Sequence, residues 1–420
     1  MSQPPTQPRD PIGWCAAFAL AFLVLSLIGI GIPSKPFFDE VHYLPAARAL
    51  LDGTEYLNRE HPLLGKEAIA LGIFLFGDNP LGWRLFSAVA GAGALYAFMR
   101  ALWFASLSRF ATLAFGVLLA TGFALFVHAR IAMLDVYMVA FFAVMLWQAA
   151  AAVREPERGR LRLAIAGAAL GLSMAAKWNA APLAVLPGLA FLAARFSAGR
   201  RRLFTSRRGV PVPGISLAEA AIWLGVVPLL VYAATFVPAM HLDRGVLNPM
   251  NLIAFHREII ALQESVTKTH PYQSNWHDWV LNLRAIWYLY EPVDGAQRGV
   301  LLIGNPLTML IGLPAVAWCL WAGLRQRRLD TLAAAILYAA SVGFWIIANK
   351  PIQFYYHYFL PSCFLLAGLA LALDAVPRKV AWVVLTGSVM TFAWFHPILS
   401  AAALANEQSF MHWMWLDSWR

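Results

Sequence analysis

Two adjacent acids, Asp39 and Glu40, lie in the run Phe37-Phe38-Asp39-Glu40-Val41-His42-Tyr43, directly after an apolar stretch long enough to cross a membrane. Acids at the mouth of a membrane helix are costly if buried and are retained where they work. Neighbouring side chains of a loop point in different directions, so these two do not make the paired acid and base of a hydrolase. They suit one working base with a supporting acid beside it. A second group follows in Glu60-His61-Pro62-Leu63-Leu64-Gly65-Lys66 and Gly82-Trp83-Arg84. Lys66 and Arg84 could bind an anion near the membrane surface, although cations at helix ends also serve simply to reach water. Arg130 and Lys177 fall at helix ends on the same side, and four cations around one acidic loop suit a phosphate-bearing ligand. Asp135 lies five residues past Arg130 in an apolar run, about 7.5 Å deeper along a helix. At that depth it must face the bundle interior and find a partner, as a functional group or as half of a structural ion pair.

Other chemistry is missing. His256, His270 and His277 lack the spacing of a zinc site, and the loop has no Asp-x-Asp pair, so no metal or other cofactor is expected. No phosphate-binding P-loop, Gly-rich dinucleotide turn or Gly-x-Ser-x-Gly elbow occurs, which removes nucleotide-driven transport. Cys15, Cys319 and Cys363 all lie in apolar runs and give no support to a disulfide framework.

The elements that must hold these residues are membrane spans. Of 420 residues 60% are hydrophobic and only 13% charged, too apolar for a wetted globular surface. Hydropathy predicts eleven spans, at 13–32, 85–104, 110–128, 131–152, 161–177, 178–196, 217–238, 300–324, 331–348, 357–376 and 380–399. The first is expected to be retained rather than cleaved as a signal peptide. With the N-terminus in the cytoplasm, the cytoplasmic segments collect 18 of the 32 basic residues, among them Arg200 and Arg201, against six acids. That asymmetry sets the orientation: the acidic loop, all ten histidines and the C-terminus are extracytoplasmic. The Arg clusters sit in short loops without interleaved aromatics, so nucleic acid is not an expected partner, whereas the lipid bilayer is. Residues 1–420 are expected to form one multi-pass unit with two long extracytoplasmic loops, 33–84 and 240–299. Pro45 and Gly53 predict a short helix in the first loop, and Leu252, Ile253, Ile259 and Ile260 an interfacial helix in the second.

Phe38 to Tyr43, His61 to Lys66, Gly82-Trp83-Arg84, Arg130 to Asp135 and Lys177-Trp178 resemble, in that order, the motifs of the protein O-mannosyltransferases. His270-Pro271-Tyr272, Trp287-Tyr288, Gly304-Asn305-Pro306 and the run Tyr355 to Pro361 are similar to the same family. The resemblance implies an all-α integral membrane protein of the GT-C glycosyltransferase class with about eleven spans. It implies an inverting transfer of mannose from a polyprenyl (dolichyl-type) phosphate mannose to Ser or Thr of an acceptor protein. Asp39 would then be the general base with Glu40 beside it, Arg84 the contact to the donor phosphate, Lys66, Arg130, Lys177 and His61 its helpers, and Asp135, Tyr43 and His357 supporting residues. Leu63 replaces a proline common in the family. Loop 240–299 is too short for the MIR domain of eukaryotic members, which favours a bacterial-type enzyme of the inner membrane.

Two alternatives share some of these features. A GT-C transferase that moves aminoarabinose or another sugar onto lipid A or a glycolipid would carry the same acidic loop. A secondary transporter or flippase would place its charges near the bilayer midplane in broken, repeated helices, whereas here they gather on one face and no repeat is visible.

Overall fold

The computed structural model describes residues 8–199, 202–245, 247–265, 268–348 and 350–420. Arg200 and Arg201, two of the expected cytoplasmic cations, lie outside the described residues. The chain begins with α1 (Ile12–Leu27), α2 (Glu40–Leu51), α3 (Leu64–Phe76), α4 (Pro80–Ser106), α5 (Arg109–Ala120), α6 (Ala124–His128), α7 (Leu134–Arg154) and α8 (Gly159–Ala176). There follow α9 (Leu186–Ser197), α10 (Leu217–Ala221), α11 (Val227–Ala234), α12 (Leu252–Ser265) and α13 (Trp276–Val280). After a two-stranded hairpin, β1 (Ile286–Val293) and β2 (Ala296–Leu302), the chain ends in α14 (Pro306–Arg325), α15 (Leu329–Ile347), α16 (Phe359–Ala375) and α17 (Arg378–Leu399).

Among the described residues, eight helical stretches are long and apolar enough to cross a bilayer. The other three expected spans fall on α1, on α5 with α6, and on α8, which are shorter or begin with charge. At the centre, α7 packs against both α4 and α8, and α16 against α14, α15 and α5. Without a hydrophobic drive between helices in lipid, close backbone approach must supply the contact. Gly167 and Gly171 of α8 do so: a Cβ there would lie 1.9 Å from the Trp223 carbonyl oxygen and 2.5 Å from that of Pro228.

Two features depart from the expectations. The protein is mostly but not wholly α-helical, because Ile286–Leu302 forms an antiparallel hairpin, so the span expected from residue 300 starts only at Pro306. Asp294 and Gly295 both have positive φ, 49° and 73°, as a two-residue primed turn between right-twisted strands demands. The Asp-Gly pair beyond the β-prone Trp287-Tyr288-Leu289-Tyr290 is the signal for it in the sequence; the apolar strand β2 instead merges with the hydropathy of α14. The first loop is also more ordered than one short helix. Helix α2 starts at Glu40, five residues before Pro45, and ends with Gly53 at φ 68°, while α3 is a further helix that the loop was not expected to hold. In the second long loop α12 forms as expected, but it buries Phe255 and Ile259 while Ile253 and Ile260 stay exposed.

Helix α3 is pressed onto the start of α4, where a Cβ on Gly72 would meet the Gly82 carbonyl oxygen at 2.1 Å. Gly72→Ala is therefore expected to lower stability by about 1–3 kcal/mol, since backbone cannot move aside as a side chain can. Thermal unfolding of the purified chain in detergent checks this.

Candidate active site

Local capping explains where the charged groups stand. Asn79 caps α4, its side-chain oxygen accepting the Leu81 and Gly82 amides with Pro80 in the first turn, and this sets Arg84 one turn into the helix. Asp135 lies in the first turn of α7 and Lys177 follows the last residue of α8. An acid at a helix N-terminus and a base at a C-terminus are each favoured by the helix dipole. Because α7 and α8 are consecutive, packed neighbours, those two ends meet: Lys177 Nζ donates to Asp135 Oδ2 at 2.7 Å, both side chains almost wholly buried. Lys177 also stands over the Tyr356 ring, 4.8 Å from its centroid.

Asp39 and Glu40 go separate ways. Glu40 is fully buried and takes Arg84 as a fork, Nε to Oε1 at 2.7 Å and Nη2 to Oε2 at 2.8 Å. The amides of Ala132 and Phe37 donate to the same carboxylate. Asp39 precedes α2 but spends no oxygen on capping it; its carboxylate is half-buried and accepts the Tyr43 hydroxyl at 3.2 Å. Phe38, at φ 49°, stacks on Tyr288 with centroids 3.8 Å apart, and a non-glycine residue in that region is held only by its surroundings. Burial and the nearby charge of Asp135 raise the Asp39 carboxyl above the usual range, against the pull of Lys177 and the Tyr43 hydrogen bond.

Three of the four expected phosphate cations are engaged elsewhere. Arg84 makes five hydrogen bonds for its five N–H groups, two to Glu40 and three to the carbonyls of Ile30, Pro33 and Lys35. Lys66 is fully buried and gives its three ammonium hydrogens to the carbonyls of Leu57, Asn58 and His61. Both terminal nitrogens of Arg130 take carbonyls, those of Ser26, Ile28 and Gly29 at the end of α1 and that of Ser400. Unpaired carbonyls at a helix C-terminus must find donors, and Arg130 provides them. These three hold the loops and helix ends in place. His61 is held neutral by burial and by the positive charges of Lys177, Lys350 and Lys66.

A cation that the sequence does not single out is Lys350, in the connection between α15 and the 3-10 turn Tyr355–Tyr358. Burial and the neighbouring Lys177 push its ammonium down to about 8, while Asp135 and Asp39 pull the other way. Its charge thus lies in the same field as both acids and Lys177. Tyr288, Tyr356 and Tyr43 complete the surroundings, each within the field of Asp39 and Asp135. His357 is buried, its ring 4.0 Å from that of Trp345 and 4.5 Å from that of Tyr356. Among the described residues, no group of three or more His, Cys, Asp or Glu gathers to hold a metal ion.

Two family models match consecutive parts of the chain: dolichyl-phosphate-mannose-protein mannosyltransferase over residues 76–242 and the C-terminal four-span region of protein O-mannosyltransferase over residues 250–419. The chain belongs to the protein O-mannosyltransferase family. It is 27% identical to the polyprenol-phosphate-mannose–protein mannosyltransferase of Mycolicibacterium smegmatis, over 97% of this chain and 93% of that one. The Mycobacterium tuberculosis protein of the same name is 28% identical over 97% and 92%. In fold the chain is similar to the S. cerevisiae protein O-mannosyltransferase Pmt1–Pmt2 complex bound to its sugar donor, with a TM-score of 0.84 at 14% identity over 99% of this chain and 93% of that one. ArnT from Cupriavidus metallidurans bound to undecaprenyl phosphate shares the fold more loosely, with a TM-score of 0.60 at 17% identity over 91% and 64%. This protein mannosyltransferase family member is thus a multi-pass membrane glycosyltransferase of the GT-C fold. Its Asp39, Asp135, Lys177 and Lys350 gather where its first loop, the starts of α2 and α7, the end of α8 and the segment after α15 converge.

Proposed function

We propose that this chain transfers mannose from a polyprenyl-phosphate mannose to Ser or Thr hydroxyls of acceptor proteins on the extracytoplasmic face, with Asp39 as general base. The observation that carries the reading is the position of Asp39: a carboxylate not used for capping, oriented by Tyr43, in the joint field of Lys177 and Lys350. A hydroxyl is a poor nucleophile until its proton is accepted. The acceptor oxygen attacks C1 of the mannosyl group as Asp39 takes its proton, the bond from C1 to the phosphate oxygen breaks, and the lipid phosphate leaves with the electron pair. One displacement inverts the configuration at C1. The departing phosphate gains charge, and Lys350 together with Lys177 supplies the positive counterpart. Glu40, Arg84, Lys66 and Arg130 act through geometry, keeping the first loop and the start of α7 around Asp39. The charge asymmetry of the short loops supports the extracytoplasmic placement of this face.

Membranes containing the chain, given radiolabelled polyprenyl-phosphate mannose and a Ser/Thr-rich peptide, are expected to label the peptide. Label appearing only in lipid would overturn the reading in favour of a glycolipid transferase. Replacing Lys350 by Met should raise the donor KM by about 10- to 100-fold, the worth of one hydrogen bond to a charged group, with the acceptor KM little changed. Steady-state kinetics with each substrate varied in turn separates the two.

A further inference from the structure

Two polar atoms beside the proposed reaction centre are buried without a partner: Asp135 Oδ1 and His357 Nε2. An unsatisfied buried donor or acceptor costs about 1–3 kcal/mol, so each such atom in a folded chain calls for an explanation. Neither is free to turn away. Asp135 is wholly buried and fixed through its other oxygen to Lys177 Nζ at 2.7 Å. His357 is wedged among Trp345, Tyr356 and Trp279, with ring centroids 4.0, 4.5 and 5.8 Å away, and its Nδ1 lies 3.0 Å from both the amide nitrogen and the carbonyl oxygen of Phe354. Nδ1 is therefore occupied in either tautomer, and Nε2 is the ring nitrogen left to donate or accept. The site thus carries one orphan carboxylate oxygen and one orphan ring nitrogen. Both stand within the field of Lys177 and Lys350, and Lys177 lies over the ring of Tyr356, the residue adjoining His357.

A sugar hydroxyl both donates and accepts, so it answers such a pair, whereas the phosphate and the lipid chain offer nothing for a carboxylate oxygen to accept. We propose that Asp135 Oδ1 and His357 Nε2 bind hydroxyl groups of the transferred hexose and make the enzyme discriminate among sugars. The inference rests on the site being a glycosyl-transfer site. The buried ion pair then has a second role, in which Lys177 orients the Asp135 carboxylate and leaves one oxygen for the sugar, while the aromatic wall around His357 keeps its Nε2 in place.

The test uses the full chain in lipid nanodiscs, a Ser/Thr peptide, polyprenyl-phosphate mannose and the set of its monodeoxy analogues, one for each ring hydroxyl. The wild-type enzyme should use at least one analogue about 10- to 100-fold less well than mannose in kcat/KM. Asp135→Asn and His357→Phe should lower mannose to the level of that analogue without further loss on the analogue itself, so that discrimination falls towards unity. A merely structural role lowers all donors alike, and unchanged ratios in both variants overturn the inference. His357→Phe keeps the ring packing and decides the matter if Asp135→Asn, which leaves Lys177 unpaired, does not fold. Wild-type enzyme that moves no mannose from the lipid phosphate to peptide overturns the functional reading as well, a result distinct from unchanged ratios in an active enzyme.

Discussion

Asp39→Asn is expected to cut transfer to peptide by about 10²- to 10⁴-fold while leaving donor binding intact, the range that a positioned general base contributes. The substitution is isosteric and keeps an oxygen for the Tyr43 hydroxyl, so the local fold has no reason to change. What is lost is the ability to accept a proton. Removing a negative charge from beside Lys177 and Lys350 does not weaken the attraction of those lysines for a phosphate, so the donor KM should hold or fall. The pH profile gives an independent arm. Asp39 works only when ionised, and burial raises its pKa, so kcat/KM should decline as pH falls through that raised value. The Asn variant should lack this acid limb in its residual rate. Near-wild-type turnover in a folded Asp39→Asn protein would remove the residue from the mechanism.

Breaking the Glu40–Arg84 pair is expected to have the second largest effect, but on folding. Both side chains are wholly buried, and removing one partner strands a charge where water cannot reach it, at a cost of about 3–5 kcal/mol. The damage spreads because the pair is a junction: Arg84 holds the carbonyls of Ile30, Pro33 and Lys35, and Glu40 holds the amides of Phe37 and Ala132. Arg84→Met and Glu40→Gln should therefore each reduce the yield of folded protein and its unfolding temperature. The double variant should lose less than the sum of the two, since no unpaired charge remains. Size-exclusion profiles and thermal unfolding in detergent measure this. An Arg84→Met protein of wild-type stability with a raised donor KM would instead return Arg84 to the donor phosphate.

The membrane class and the two acids on which the proposed mechanism turns were present in the sequence by itself. They are written in local quantities: runs of about 20 apolar residues must enter lipid, and two acids beside such a run stand out against it. The motifs from Phe38 to Pro361 carried the family for the same reason, being short and in order. Tertiary structure decided which partners each charge takes. Arg84, Lys66 and Arg130 share with Lys177 and Lys350 only the fact of being cations near helix ends, and the difference lies in which carbonyls the folded backbone brings within about 3 Å. A long charged side chain chooses its partner after distant segments have met, Arg84 with residues 44 to 54 positions away and Arg130 with one 270 away. Lys350, embedded among aromatic and apolar residues with no acid near it in the chain, gave no local sign that the fold would carry it to Asp39 and Asp135. The hairpin was likewise masked, because an apolar strand and the first turn of a membrane helix have the same hydropathy and differ only in the hydrogen bonds that the fold provides.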